Sequence, residues 1–298
     1  MNVVCIGGGH GLAQMLQALK PIDAQITAIV ATTDNGGSTG KIRSDYNCVA
    51  FGDIRRCILA LAPENDLLKV LAEQRFENEG QLQGHCLGNL MLLGLNQMCH
   101  NPVDAITWMC HLFGVQQTIL PMCIQAADLT ATLESGKKVF GECNIDALGE
   151  LPRTVALSTL VTAPSAAIAA ILQADYIFIG PGSALTSVLP PLLVPQIQQA
   201  LQNTLACRIF IENISPENSV AALQTKDSTE HWLSKLLGFK FNDLTLTIDA
   251  LNTLDTRLSG EQNSQDHLHD LGQLNHVLQQ FLAPKLCSFK QSQNTTLH

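Results

Sequence analysis

Charge is scarce in this sequence: only 14% of its 298 residues are Asp, Glu, Lys or Arg. A chain that poor in charge and 46% hydrophobic is not a solvated, disordered segment. Cations are scarcer still, 17 Lys and Arg against 26 Asp and Glu, for a net charge of −9. A broad basic surface that tracks a nucleic-acid backbone is therefore not expected, and aromatics at 5% supply few platforms for stacking bases. Long apolar runs are missing too, since nothing approaches the roughly 18 consecutive residues of a membrane span. No basic stretch or cleavage site precedes Asn2–Ile6, so a cytoplasmic protein without nucleic-acid or membrane partners is expected. Finally there is no Cys-x-x-Cys pair, although ten cysteines are scattered from Cys5 to Cys287. Several of them (Cys5, Cys57, Cys110, Cys207) sit inside apolar runs and read as small buried hydrophobes of a reducing compartment.

What is present is an alternation of apolar runs and glycine breaks. Strand Asn2–Ile6, turn Gly7–Gly11, helix Leu12–Leu19 and strand Gln25–Thr32 open a parallel βαβ unit. The strands are apolar throughout, as in sheets covered on both faces. From Gly52 to Phe113 the periodicity is helical, broken at Pro63, Gly80 and Gly84–Asn89. Four short strand patterns follow, at Gln117–Cys123, Ala131–Leu133, Val139–Gly141 and Arg153–Leu160, with a hairpin turn at Glu134–Lys137. The α/β alternation resumes with helix Ser165–Leu172, strand Tyr176–Ile179, helix Val194–Leu205 and strand Arg208–Glu212. A helix at Thr229–Leu237, a strand at Leu244–Ile248 and a helix at Leu271–Phe281 complete the pattern. The expected fold is α/β: a Rossmann-like, mostly parallel sheet with helices on both faces, a helical insert and a small antiparallel extension. One domain is expected over residues 1–287, followed by a polar tail at 288–298.

Five segments carry chemistry. Gly8, Gly9, His10 and Gly11 lie between a strand and a helix, where bare amides and the helix dipole favour an anion. With Gly7 and Gly9 as its first two positions the dinucleotide fingerprint would need a small third residue where Leu12 stands, which argues against an NAD-dependent oxidoreductase. After the second strand comes a polar, flexible loop, Thr32–Lys41, containing Asp34, Asn35, Gly36, Gly37, Ser38 and Lys41. Asp34 reads either as a ribose or metal acceptor or as the residue that shapes the turn. Lys41, Arg43, Arg55 and Arg56 put four of the 17 cations into 16 positions, a local anion sink. Asp53 is expected to cap a helix whose first turn presents Arg55 to phosphate, while Arg56 lies on a solvated face. Asn89, in Gly84–Leu90, offers a donor and an acceptor at a helix start, and His85 beside it reads as packing rather than catalysis. Last, Gly180, Gly182, Ser183 and Ser187 follow a buried strand and form a second backbone and hydroxyl cradle. His267 and His269 have no partnering ligand pattern, so no metal site is expected.

Taken in order, Gly7–Leu12, Thr33–Arg43, Gly52–Arg55, Gly84–Leu90 and Ala174–Ser183 closely resemble the YvcK-like gluconeogenesis factor family, and the likeness runs over residues 1–213, including Val139–Ile145. That family lies in the wider superfamily of the 2-phospholactate transferase CofD. The resemblance implies a Rossmann-like core that binds UDP-sugars such as UDP-N-acetylglucosamine, and a role in cell shape and in growth on gluconeogenic carbon. In the transferase relatives a nucleotide-activated phospholactyl group passes to an acceptor hydroxyl with Mg²⁺, and the residue matching Asp34 contacts the acceptor. Asn35–Gly40 resembles the gluconeogenesis factors instead. The expected ligand is thus a nucleotide diphosphate, held by Gly8, Gly9, Gly11, Gly182 and Ser183, balanced by Arg43 and Arg55, and fixed at its sugar by Asp34, Asn35 and Asn89. A transferase with Asp34 at its centre is the alternative, and a homodimer stays open.

Overall fold

The computed structural model describes residues 1–64, 67–77, 79–213 and 228–246, with Leu278 and Leu282. Its first half runs β1 (Asn2–Gly7), α1 (Gly9–Leu19), β2 (Gln25–Val30), α2 (Gly37–Asp45), α3 (Gly52–Leu61), α4 (Leu67–Glu73), α5 (Leu87–Cys99), α6 (Pro102–Leu112) and β3 (Thr118–Pro121). Then come β4 (Leu129–Thr132), β5 (Lys138–Phe140), α7 (Glu142–Asp146), β6 (Thr154–Leu157), α8 (Ser165–Gln173) and β7 (Tyr176–Ile179). A π-helical turn at Ala184–Val188 leads into α9 (Leu189–Leu192), α10 (Pro195–Asn203), β8 (Cys207–Ile211), α11 (Thr229–Leu237) and β9 (Leu244–Leu246).

Six strands form one parallel sheet in the order β3-β2-β1-β7-β8-β9. Two of its neighbours, β1 and β7, are separated by more than 160 residues of chain, and there the strand order reverses direction. Such a reversal leaves a crevice at the carboxyl ends of the strands, where ligands of open α/β sheets bind. Strand geometry explains the apolar runs, because successive side chains point to opposite faces. Val3 and Cys5 join a core with α1, α3, α5 and α6, while Val4 and Ile6 join a second core with α8 and α10. The small antiparallel sheet, β5-β4-β6, sits beside the main one and delivers α7.

The expected fold class is the observed one. Two segments differ. The Thr32–Lys41 segment is not simply a loop, because α2 begins at Gly37: Asp34 Oδ1 accepts the Gly36 amide at 2.8 Å, and the Gly40 amide bonds back to Gly36 O at 2.8 Å. The tight Asx turn thus starts a helix that the polar composition hides. Asp53 is also displaced from its expected cap, since Phe51 occupies that position and Asp53 lies inside α3. Of the cysteines, Cys5, Cys57 and Cys110 are buried as expected, Cys207 is half-buried, and burial pushes the Cys110 thiol up to about 12. The Leu271–Phe281 helix, apart from Leu278, the 288–298 tail and the two histidines near residue 268 lie outside the described residues. No helix among the described residues is long and apolar enough to cross a membrane.

Candidate functional site

The chain leaves β1 through Gly7 and Gly8 and enters α1 at Gly9, whose φ of +63° suits glycine. Facing this turn, the chain leaves β7 through Gly180, a cis peptide to Pro181, Gly182 and Ser183. The two turns touch. A methyl group placed on Gly11 would lie 2.4 Å from Pro181 O, and one on Gly182 would lie 3.4 Å from Gly8 O. One on Gly9 would stand 3.3 Å from Ser187 Oγ. Both turns therefore open on the β1/β7 crevice, bringing the first amides of α1, which lack intrahelical partners, toward the Gly180–Ser187 segment. Asn213, at the end of β8, holds the second turn: its Oδ1 accepts the Gly182 amide at 2.8 Å and its Nδ2 donates to Gly182 O at 3.0 Å. Ser183 Oγ is buried and has no hydrogen-bond partner among the described residues. Leaving a buried hydroxyl unpaired costs about 1–3 kcal/mol.

Carboxylates surround the crevice. Asp53 Oδ2 accepts the Gly9 amide at 2.6 Å, and its Oδ1 accepts from Arg56. Burial pushes the Asp53 carboxyl above its ordinary range, against the pull of Arg56 and the Gly9 amide. Glu142, the first residue of α7, accepts from Thr33 Oγ1 at 3.2 Å. Its carboxyl is pushed well above the ordinary 4.5, first by burial and then by the charges of Asp34, Asp53 and Asp146. Asp146, in turn, accepts from Thr186 Oγ1 at 3.4 Å. Among the described residues no three His, Cys, Asp or Glu side chains come together as a metal-ligand set.

The remaining expected residues divide between bracing and a separate face. Arg43 does not face the crevice as a counter-charge. Its guanidinium donates to the carbonyls of Cys48, Thr33, Asp34 and Ala127 and pairs with Asp128 at 2.9 Å, fastening the end of β2 to the start of β4. Asn35 accepts the Cys143 amide at 3.0 Å and so fastens the same segment to α7. Ser38 Oγ accepts from the Cys86 amide at 3.0 Å and from Asn89 Nδ2 at 3.1 Å, and Asn89 Oδ1 accepts Arg55 Nε at 3.0 Å. Asn89 is thus committed to joining α2, α3 and α5. Lys41 donates to Gln83 O at 2.7 Å, away from the turns. His85 Nδ1 is buried without a partner among the described residues. Gly36 and Gly37 open α2, and nothing lies within 4 Å of a methyl placed on Gly37. Arg55, Arg56 and His10 line a groove outside the crevice.

A family model described as 2-phospho-L-lactate transferase CofD matches residues 3–285. The chain belongs to the CofD family. Within it, this CofD-family chain is 43% identical over 258 residues to a protein from Pasteurella multocida named "Putative gluconeogenesis factor", covering 87% of this chain and 84% of that one. It is 39% identical over 218 residues to the "Gluconeogenesis factor" of Halalkalibacterium halodurans, covering 73% and 68%. A crystal structure of protein BH3568 from Bacillus halodurans superposes with a TM-score of 0.76 at 33% identity, covering 89% of this chain and 82% of that one.

The CofD-family crevice also uses residues that sequence reasoning did not select: Glu142, Asp146, Thr186 and Asn213. Glu142 follows Gly141 directly, but neither it nor Asp146 carries a signal that separates it from any other acid in the chain. Asn213 and Thr186 carried no local signal, since their partners are Gly182, 31 residues away, and Asp146, 40 residues away.

Proposed function

We propose that this CofD-family protein is a cytoplasmic regulator that binds a nucleotide sugar of the UDP-N-acetylglucosamine kind, supporting growth on gluconeogenic carbon and cell shape. The observation that carries the proposal is the contact between the Gly8–Gly11 and Gly180–Ser183 turns at the β1/β7 reversal. A diphosphate needs several convergent donors to replace its water, and two turns that share a crevice can supply them. The unpaired Ser183 hydroxyl adds one more group in search of a partner. The relatives' names support the metabolic side. Because the crevice is lined by carboxylates, phosphate recognition rests on amides and hydroxyls rather than on Arg43 or Arg55. Isothermal titration with UDP-N-acetylglucosamine, GDP and NAD tests the reading. Binding of the UDP-sugar in preference to the others is expected, and no heat with any of the three overturns it.

The transferase named by the family model is a second reading, supported by the pair Asp34 and Glu142. Asp34 would take the proton of an acceptor hydroxyl as its oxygen bonds to the phosphorus of the activated donor, and Glu142, favoured in its protonated form by burial, would give a proton to the nucleoside phosphate whose P–O bond breaks. Turnover lost in both Asp34→Asn and Glu142→Gln, with ligand still bound, is its signature. Bound ligand without product across candidate acceptors returns the case to the binding protein.

A further inference from the structure

Outside the crevice, α1, α3 and α4 enclose an open cavity of about 440 Å³. Its charged lining is His10, Arg55, Arg56, Lys69, Arg75 and one acid, Glu73. Four cations against one carboxylate is the reverse of a chain whose net charge is −9. The volume falls in the range of small-molecule sites, about 300–1,000 Å³.

Arg55 makes this more than a basic patch. It is only 6% exposed, yet Nε, bonded to Asn89, is the only guanidinium nitrogen with a hydrogen bond among the described residues. Arg55 is itself one of the residues that line the cavity. The position is confined, because a methyl on Gly88 would stand 2.7 Å from Arg55 Cδ. Burial and the neighbouring charges of Arg56 and Arg75 disfavour the cationic form of Arg55, against the opposing influence of Cys86 and Glu73. A buried cation beside two others, without a described ion-pair partner, is held at an electrostatic cost that an anion would repay. His10 is under the same influence: burial and the charges of Arg56 and Arg55 lower its pKa, against the pull of Asp53.

We infer that this groove is a second ligand site, for the phosphate group of a small phosphorylated metabolite, beside the nucleotide crevice and sharing with it the turn that carries His10. Phosphate suits it better than a carboxylate, because three guanidinium groups and one ammonium can surround a tetrahedral dianion from several sides, whereas one carboxylate fills a single fork. The Gly8–Gly11 turn and the head of α2 are each joined to the groove through one intermediary. Arg56 bonds Asp53, which holds the Gly9 amide at 2.6 Å. Arg55 bonds Asn89, which holds Ser38 at the head of α2 at 3.1 Å. An anion that draws Arg56 outward therefore pulls on the Gly8–Gly11 turn of the crevice, and the groove is placed to report a phosphorylated metabolite to the nucleotide site. That last step rests on the proposed nucleotide reading; the groove's own ligand does not.

The test uses the full chain without nucleotide, at low ionic strength, titrated calorimetrically with inorganic phosphate and, in parallel, with succinate. Phosphate is expected to bind at one saturable site, to exceed succinate at least about tenfold, and to move the His10 titration upward by NMR. Lys69→Glu with Arg75→Glu, changes to half-buried and exposed side chains on the outer rim, is expected to weaken phosphate at least about tenfold. No phosphate binding, equal binding of succinate, or binding untouched by the double variant each overturns the inference. Because nucleotide is absent, these outcomes leave the nucleotide reading to its own titration. Arg55→Met serves as a second variant where it folds, and retained phosphate affinity there would also count against the site.

Discussion

Gly11→Ala is the sharpest test of the two-turn crevice. The added methyl would sit 2.4 Å from Pro181 O, 2.7 Å from its carbonyl carbon and 3.1 Å from Gly182 N, against at least 3.4 Å for an ordinary contact. The turns must separate by about 1 Å, and since every opposing atom is backbone, no side-chain rotation relieves the clash. Overpacking of this kind costs about 1–3 kcal/mol, and a backbone-to-backbone clash belongs to the upper part of that range. Alanine in a helix returns up to about 1 kcal/mol, leaving a net loss of about 1–2 kcal/mol. Gly94, in α5, is the control, because a methyl there meets nothing within 4 Å. Gly94→Ala should gain up to about 1 kcal/mol with ligand binding unchanged. Urea denaturation of the three proteins, with UDP-N-acetylglucosamine titration of each, reads both quantities. If Gly11→Ala gains stability as Gly94→Ala does and binds alike, the turns do not meet and the reasoning fails.

Three further outcomes are expected. Because the native pKa of Glu142 lies above its ordinary 4.5, the native state holds a proton that the unfolded chain releases, and its contribution to stability declines as pH rises from about 4.5 through the raised value. Glu142→Gln should therefore stabilise the protein more at pH 7 than at pH 4, and equal urea midpoint shifts at the two pH values would contradict this. Arg43→Lys cannot reproduce the fork that serves four carbonyls and Asp128, so it should lose about 2–4 kcal/mol in the same assay; a variant as stable as the parent would show that the brace is dispensable. Asn213→Ala frees Gly182 and should weaken nucleotide binding roughly tenfold with at most about 2 kcal/mol lost in stability, whereas unaltered affinity would remove Asn213 from the site.

The sheet was legible because its strands are short apolar runs bounded by glycine, and burial on both faces is written directly into such runs. Helices α8 and α11 were equally plain, with Thr229–Leu237 starting beside a capping Ser228 and stopping at Gly238. Helix α2 was not, since Gly37–Asp45 has no apolar stripe and depends on the Asp34 turn before it. The site was half legible. Glycine turns announce themselves locally, and their convergence follows from strand order. The roles of the arginines do not, because proximity along the chain says nothing about direction. Arg43 and Arg55 stand twelve positions apart and face different tasks, one set by Asp128 and Ala127 and the other by Asn89. Glu142 was invisible for the related reason that a lone acid gains its meaning only from Thr33 and the three carboxylates that folding brings near.

Strand β1 feeds two separate cores through alternate residues, Val3 and Cys5 to one and Val4 and Ile6 to the other. Deleting or inserting a single residue within Asn2–Gly7 would consequently turn the strand inside out, exchanging the tenants of both interiors at once. The same slip would rotate the following glycines away from Pro181, so length is as strictly specified here as identity.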